Sequence, residues 1–191
     1  MARRVYFAFH YQDVIDFRAN VVRKHNFTQG VESAGYYDYS IWEESKRKGD
    51  LAMKRMINAE LESTSVTVVL VGTFTYARRW VRYEIIKSMQ RGNKLLGIHI
   101  NGIRDKDGQV KVYGNNPFDY LSVEYNQDGT SLSVLEWDNG TWKNYRDVEP
   151  YTLKKQRSRE EWGNMYQLNK WYELKDWVGD DGFNNFDSWI E

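Results

Sequence analysis

SVTVVLVGTFTYARRWVRYEI, residues 65–85, is the stretch that determines the fold class of this chain. Residues 66–71 form a nearly unbroken β-branched run, which is typical of a strand covered on both faces in a parallel sheet. Gly72 and Thr73 interrupt the run, and apolar residues at helical spacing follow. The stretch therefore predicts a buried strand, a short loop and a helix in an α/β protein.

The predicted helix presents one carboxylate, Glu84, at the edge of its apolar stripe. Trp80 lies one turn earlier on the same face, so an indole and a carboxylate stand together near the end of a strand. The stripe consists of Val81, Ile85, Ser88 and Met89, and the basic residues Arg78, Arg79, Arg82 and Lys87 lie largely off it. Two interpretations are open: Glu84 forms a surface ion pair with these arginines, or it is a functional carboxylate.

The rest of the N-terminal half alternates between predicted strands and helices. The patterns indicate strands at residues 4–9, 35–39 and 94–100, helices at residues 13–24 and 50–61, and a loop at residues 40–49. Asp50 is the predicted N-cap of the second helix. The predicted inward-facing residues are Val14, Phe17, Val21 and Val22 in the first helix, and Leu51, Met53, Met56, Ile57 and Leu61 in the second.

This alternation predicts an open parallel sheet with helices on both faces, for which we take the flavodoxin-like strand order. In that strand order the first and third strands flank the topological switch point, where ligands bind beyond the carboxyl ends of the strands. Those ends are residues 9–13 and 72–74, and Glu84 follows on the next helix. Three separate segments are thus expected to converge on one crevice.

Residues 106–191 differ in pattern from the preceding part. Asp-Gly and Asn-Gly pairs predict hairpins between short strands, so we expect an antiparallel insertion. A final helix is predicted from about residue 159, with Trp162, Tyr166, Trp171, Leu174 and Trp177 near one side. Because 191 residues fit one elaborated domain, we expect residues 1–191 to form a single domain with its core at about 1–105.

Composition excludes several classes of protein. Twenty-seven basic and 27 acidic residues give a formal net charge of zero, which disfavours binding to nucleic acid or to an anionic membrane. Cysteine is absent, so thiolate chemistry is excluded and the cytoplasm is the expected location. No segment approaches the length of a membrane span. Three scattered histidines offer no metal-ligand spacing, so we expect no metal site.

The quoted segments resemble the TIR domain superfamily, and more closely the TIR proteins of bacterial Thoeris anti-phage systems. FAFHYQD, residues 7–13, is similar to the first TIR box, and TFTYARRWVRYE, residues 73–84, is similar to the loop, tryptophan and catalytic glutamate of TIR enzymes. The TIR part covers about residues 1–105. The Thoeris likeness continues through PFDYL and DWVGDDGFNNFDSW, so it covers nearly the whole chain.

The resemblance implies cleavage of the nicotinamide ribosyl bond of NAD, with Glu84 as the catalytic residue and NAD as a substrate instead of a cofactor. One carboxylate suits this reaction, because nicotinamide leaves as a neutral amine while the ribose becomes an oxocarbenium ion that an anion stabilises. Arg79 and Arg82 are expected to favour the ionised form of Glu84. Attack by water gives ADP-ribose, and attack from within the molecule gives a cyclic isomer.

The implied partners follow from the same resemblance. They are an NAD-consuming effector that receives a cyclic nucleotide signal, a phage-derived trigger and further copies of the chain. Two other functions remain open: a non-catalytic self-association scaffold, and a related nucleotide ribosyl-bond hydrolase.

Five residues are predicted to contact the substrate: Phe9, His10, Asp13, Trp42 and Trp80. The last four also have a structural alternative. His10 follows the first strand, where a phosphate or ribose would lie, or it is a hydrogen-bonded structural histidine. Asp13 contacts the ligand or is the N-cap of the first helix. Trp42, in the predicted loop, stacks on a ring of NAD or packs, and Trp80 has the same two alternatives.

Overall fold

A computed structural model of the chain describes residues 4–28, 32–34 and 39–191. The strands are β1 (Arg4–Phe9), β2 (Glu32–Ala34), β3 (Val66–Val71), β4 (Lys94–His99), β5 (Leu121–Tyr125), β6 (Ser131–Asp138), β7 (Thr141–Asn144), β8 (Tyr151–Thr152), β9 (Met165–Gln167) and β10 (Leu174–Asp176). The α-helices are α1 (Tyr11–Ile15), α2 (Arg18–Thr28), α3 (Tyr39–Lys48), α4 (Asp50–Leu61), α5 (Arg79–Arg91) and α6 (Gly182–Ile190).

Five strands form a parallel sheet in the order β10-β4-β3-β1-β2. This is the flavodoxin-like order, and it confirms the predicted fold class and the switch point between β1 and β3. The register pairs Phe9 with Leu70, so the two strands end side by side. The edge strand β10 comes from the far C-terminal part of the chain, a position that the sequence pattern does not indicate.

The parallel sheet is covered on both faces, because every residue of β3 is buried. One face packs with α2 and α6, through residues such as Val22, Phe186 and Ile190. The other face packs with α4 and α5, through residues such as Ile57 and Ile85. A strand enclosed in this way has no solvent-facing side, which explains the nearly unbroken apolar run of β3; its polar residue Thr67 donates a hydrogen bond to Ser88.

A second, antiparallel sheet has the order β7-β6-β5-β9, with β8 paired to β6. Its inner residues Leu121, Val123 and Val134 belong to the same buried cluster as the residues of α5. Helix α5 therefore lies between the two sheets and is buried on both sides. This confirms the predicted antiparallel region, and it places the helix that carries Glu84 in the interior.

The predicted helix at residues 13–24 is two helices instead. The break is at Phe17, which has a positive φ of 65°. Phe17 and Val21 are exposed, Val22 is buried, and the side chain of Val14 lies outside the described part. A long-range contact accompanies the break: buried Arg18 at the start of α2 donates from Nε to the Ile103 carbonyl at 2.9 Å.

The predictions for residues 35–49 need two corrections. The strand lies at Glu32–Ala34; residues 35–38 fall outside the described part, and Tyr39 already begins α3. The predicted loop at residues 40–49 is mostly that helix. Gly49, with a φ of 94°, separates α3 from α4 because glycine adopts this backbone conformation without strain. Asp50 begins α4 but does not cap it, since the N-cap is Gly49.

The chain after residue 159 also differs from its prediction. Residues 159–177 contain short turns with β9 and β10, and the final helix is α6 at residues 182–190. The aromatic residues of this segment pack against different elements, since Tyr166 lies against Tyr125 and Trp177 against Phe186. The helix-like spacing of these aromatic residues therefore does not reflect a helix. Within the described residues, no helix is long and apolar enough to cross a membrane.

Candidate active site

A pocket of about 320 Å³ opens beside the end of β1, between α3 and the start of α5. Four of the predicted substrate contacts line it: Phe9 and His10 after β1, Trp42 on α3, and Trp80 on α5. The pocket is also lined by Tyr11, Glu43, Lys46, Arg78, Arg79 and Val81. The parallel sheet thus brings together three segments that are far apart in sequence.

Glu84 lies one helical turn beyond Trp80 and Val81, and it does not line this pocket. Only 3% of the surface of Glu84 is exposed to solvent. The hydroxyl of Tyr6, on β1, donates a hydrogen bond of 2.6 Å to Glu84 Oε1, whereas Oε2 is buried and has no hydrogen-bond partner among the described residues. Burial raises the pKa of Glu84 to about 8, against the opposing effect of the Tyr6 hydrogen bond.

The two neighbouring arginines do not hold Glu84 ionised, which corrects the sequence-based expectation. Arg79 forms a bidentate pair with Asp147, at 2.7 and 2.6 Å, and it also binds Asp50. Arg82 binds Glu136 of β6 at 2.5 Å. Both cations are directed to partners on other elements, so the carboxyl of Glu84 lies in a mainly apolar interior without a salt bridge to a described cation.

Arg78 is the pocket residue with the clearest unused capacity to bind an anion. Its Nε is buried and has no hydrogen-bond partner in the described part of the chain, and its guanidinium carbon lies 6.0 Å from the centre of the Phe74 ring. It is also close enough to His10 to lower the pKa of that imidazole. Burial is the larger cause, and Arg78 and Lys111 add to it, so that the pKa of His10 is about 4. His10 is therefore neutral at pH 7.

Comparison with known proteins identifies the family of the chain. A sequence model of the family described as "Thoeris protein ThsB, TIR-like domain" matches residues 6–105. The chain belongs to this family. It is also 52% identical over 191 residues, covering all of both chains, to a Bacillus cereus (strain MSX-D12) protein named "Putative cyclic ADP-D-ribose synthase ThsB1".

A solved TIR domain is also similar, although only distantly. It belongs to the Toll-related receptor TRR-2 of Hydra magnipapillata, with 10% identity, a TM-score of 0.38, and coverage of 49% of this chain and 67% of that one. The fold assignment does not depend on this likeness, because the strand order of the sheet establishes it.

Asp13 of this ThsB-type TIR domain does not line the pocket. It is buried inside α1, which begins at Tyr11, so it is not the N-cap of a helix. Its carboxylate is so close to Gly72 that a Cβ there would come within 2.3 Å of Oδ1, which makes glycine necessary at the end of β3. Burial raises the pKa of Asp13 to about 6, against the opposing charges of Lys111, Arg18 and Arg78.

The two tryptophans line the pocket from different helices, and both are partly exposed. Trp42 lies on α3, not in a loop as predicted. One contact of Trp80 is with Arg79, whose guanidinium carbon lies 4.5 Å from the ring centre, and another is with Tyr83, whose ring meets it edge-on. Trp80 is thus held by protein contacts while part of it remains available to a ligand.

Two residues that bear on the chemistry of the site, Tyr6 and Arg78, are missing from the sequence-based prediction. Tyr6 is a hydroxyl on an inward-facing position of a central strand, and such a hydroxyl needs a buried partner. That requirement was a usable signal. Arg78 gives no such signal, because its spacing does not distinguish it from Arg79 and Arg82. Among the described residues, no cluster of three or more His, Cys, Asp or Glu could hold a metal ion.

Proposed function

We propose that this protein cleaves the nicotinamide ribosyl bond of NAD and forms a cyclic ADP-ribose isomer as a signal in anti-phage defence. One observation carries the proposal. Glu84 is a buried carboxyl one helical turn from a pocket of ligand size; among the described residues, one of its oxygens has no hydrogen-bond partner and no cation forms a salt bridge with it. Such a group costs stability, and groups of this kind concentrate at functional sites.

The substrate can supply the charge that Glu84 lacks. The nicotinamide ring of NAD is a cation, and the ribosyl carbon gains positive charge as the glycosidic bond breaks. A cation placed beside a buried carboxyl lowers its pKa, so NAD binding is expected to release the proton of Glu84. The carboxylate then stabilises the oxocarbenium ion most strongly when the positive charge is largest, which is the condition for catalysis.

The second step determines the product. Nicotinamide departs with the electron pair of the broken bond, and a nucleophilic atom elsewhere in the same molecule attacks the ribosyl carbon and loses a proton. This gives the cyclic isomer, whereas water gives linear ADP-ribose. A nearly dry carboxyl favours the internal nucleophile, because Glu84 is only 3% exposed. The printed name of the Bacillus cereus relative supports the same product.

The pocket offers a suitable distribution of contacts for NAD. Arg78 supplies a guanidinium for the pyrophosphate, and neutral His10 adds a hydrogen-bonding imidazole without a charge. Trp42 and Trp80 are the proposed stacking surfaces for the two rings, and Phe9 is a further apolar contact. Since Glu84 is closed off from the pocket in this conformation, the proposal includes a shift of Trp80 when NAD binds.

The direct test is to incubate the full-length protein with NAD and to identify the products by mass spectrometry, with purified protein and with lysate of phage-infected cells. We expect nicotinamide and a cyclic isomer from the wild type and neither from Glu84→Gln. The matched control is Glu124→Gln, the same chemical change at an exposed glutamate of β5. Full activity of Glu84→Gln in the infected-cell lysate would refute the proposed mechanism.

The partners and the location belong to the same proposal. They are an effector that binds the cyclic product, a phage-derived trigger, and the cytoplasm, where NAD is available.

Self-association is supported by apolar side chains that lie exposed on and beside α1, chiefly Ile15 and Phe17, at 51% and 54%. Mass measurement in solution tests it, and full protection from phage by Glu84→Ala would favour the scaffold function instead. A panel of other nucleotides tests the hydrolase alternative.

A further inference from the structure

Tyr6 is a polar residue in one of the most apolar places of the molecule. It is fully buried on the face of β1 that packs against α5. Its neighbours in that buried cluster include Ala8, Val69 and Ile85. Phenylalanine would fill most of the same space, whereas the hydroxyl of a tyrosine must be hydrogen-bonded to avoid a desolvation penalty. The partner is Glu84, 78 residues later in the chain.

The hydrogen bond from Tyr6 involves only one of the two oxygens of Glu84. Oε1 accepts the Tyr6 hydroxyl at 2.6 Å, a short distance for an O–H···O contact, while Oε2 is left without a partner among the described residues. A carboxyl held by one oxygen has a restricted rotation about its last bond. Its second oxygen is then presented in a fixed direction with its lone pairs free.

We propose that Tyr6 is a positioning residue for Glu84: its hydroxyl holds Oε1 and thereby presents Oε2 to the ribosyl carbon of the substrate. This inference rests on the proposed function and extends it to a residue on a different element. Tyr6 does not touch the substrate in this scheme. It acts through the carboxyl, and it keeps the carboxylate from turning towards the apolar side of α5 when the proton leaves.

The second effect of Tyr6 is on the proton itself. Hydrogen bonding to the charged form of a carboxyl favours that form, and here it opposes the dominant effect of burial. The other charged groups near this part of α5 are already paired: Arg79 with Asp50 and Asp147, Lys54 of α4 also with Asp147, and Arg82 with Glu136 of the second sheet. Tyr6 is thus the described group that most directly sets the ionisation of Glu84.

The test compares Tyr6→Phe with the wild type in the full-length protein. The ionisation of Glu84 is followed by the ¹³C chemical shift of its side-chain carboxyl, assigned by its loss in Glu84→Gln, and the activity by the pH dependence of kcat/KM. We expect the titration midpoint of Glu84 to rise by about one pH unit when the hydroxyl is lost. The value of kcat/KM at pH 7 should fall roughly tenfold and should partly recover at higher pH.

The matched control is Tyr83→Phe. Tyr83 is also largely buried, precedes Glu84 on the same helix, and exchanges hydrogen bonds with Asn58 instead. This variant should leave the midpoint of Glu84 and the pH profile unchanged, whatever its effect on thermal stability. If Tyr6→Phe does not fold, replacement of Tyr6 by 3-fluorotyrosine keeps the shape and makes the hydroxyl a stronger donor. The midpoint should then shift downward.

The outcomes separate this inference from the proposed function. An unchanged midpoint and an unchanged pH profile in a folded Tyr6→Phe, or no downward shift with fluorotyrosine, would overturn the role of Tyr6 even if Glu84→Gln is inactive. Full activity of Glu84→Gln would overturn the proposed function, because then the carboxyl that Tyr6 holds has no part in the reaction.

Discussion

Helix α5 has two sides with opposite electrostatic arrangements. Towards the second sheet and α4, Arg82 is paired with Glu136, and Arg79 with Asp50 and Asp147. Towards the parallel sheet, Glu84 has a neutral donor on one oxygen and, within the part of the chain that the structure describes, no partner on the other. Pairing compensates the desolvation of the arginines, whereas Glu84 is left with an uncompensated cost. The paired arginines of α5 therefore serve packing, and the unpaired carboxyl of Glu84 is the candidate for chemistry.

The largest effect expected from this difference is on the pH dependence of the reaction. If the ionised form of Glu84 is the active one and its pKa is about 8, kcat/KM should rise between pH 6 and pH 9 by roughly 50- to 100-fold and level off above that range. Initial rates of nicotinamide release measure this. The Glu124→Gln variant should give the same curve, and a flat profile would show that Glu84 is not buried and protonated in the working enzyme.

Removing an anion that pairs with an arginine of α5 should lower the stability of the fold. Asp147 has a side chain that is 3% exposed and joins Arg79 and Lys54, so Asp147→Ala leaves two cations without their shared anion. We expect a loss of about 3 kcal/mol in the free energy of unfolding, reduced from the full buried-pair value because both cations are partly exposed. Chemical denaturation measures it. Asp138→Ala, at an exposed pair with Lys143, is the control and should change little.

Removing the unpaired carboxyl of Glu84 should instead increase the free energy of unfolding. The folded state holds the proton of Glu84 up to a pH of about 8, while the unfolded chain releases it near its ordinary pKa, so the wild type loses stability as the pH rises between these values. Glu84→Gln removes this loss, and we expect it to be more stable than the wild type by about 2 kcal/mol at pH 7. Thermal melts at pH 4 and pH 7 test the sign, because the gain should disappear at pH 4.

The smallest expected effect concerns the cation at the mouth of the pocket. Arg78 has a buried Nε without a hydrogen-bond partner in the described part of the chain, and it is proposed to bind the pyrophosphate. Arg78→Gln should therefore raise KM for NAD about tenfold and change kcat little, as expected for a contact made equally in ground and transition states. Lys155→Gln, at an exposed lysine far along the chain, should leave KM unchanged. A fall in kcat with unchanged KM would instead place Arg78 in the chemical step.

Local pattern gave correct predictions where burial is simple. β3 is mostly apolar because both its faces are covered, and the strand and helix alternation correctly predicted an open parallel sheet. The sequence pattern gave wrong predictions where contacts with distant residues determine the local structure. The break at Phe17 accompanies the reach of Arg18 to Ile103, and the segment after residue 159 was predicted as a helix because its aromatic residues happen to have helical spacing.

The candidate site was predictable in its location but not in its electrostatics. The switch point between β1 and β3 correctly placed Phe9, His10 and Trp80 at one pocket, and Trp42 joins them from a helix that was predicted as a loop. The ionised state of Glu84 was predicted from the arginines next to it in sequence. Those arginines bind Asp147 and Glu136, more than fifty residues away, and no local spacing can reveal such partners.

By itself, the sequence determined the class of the fold, the convergence of the strand ends and the identity of the one carboxylate on the helix after β3, because these depend on periodicity and on the parallel arrangement of strands. Only the tertiary structure decided that α5 is enclosed between two sheets, that its arginines are paired elsewhere, and that Tyr6 holds Glu84. The physical reason is that a carboxyl's ionisation depends on everything within a few ångströms of it, and those neighbours come from all parts of the chain.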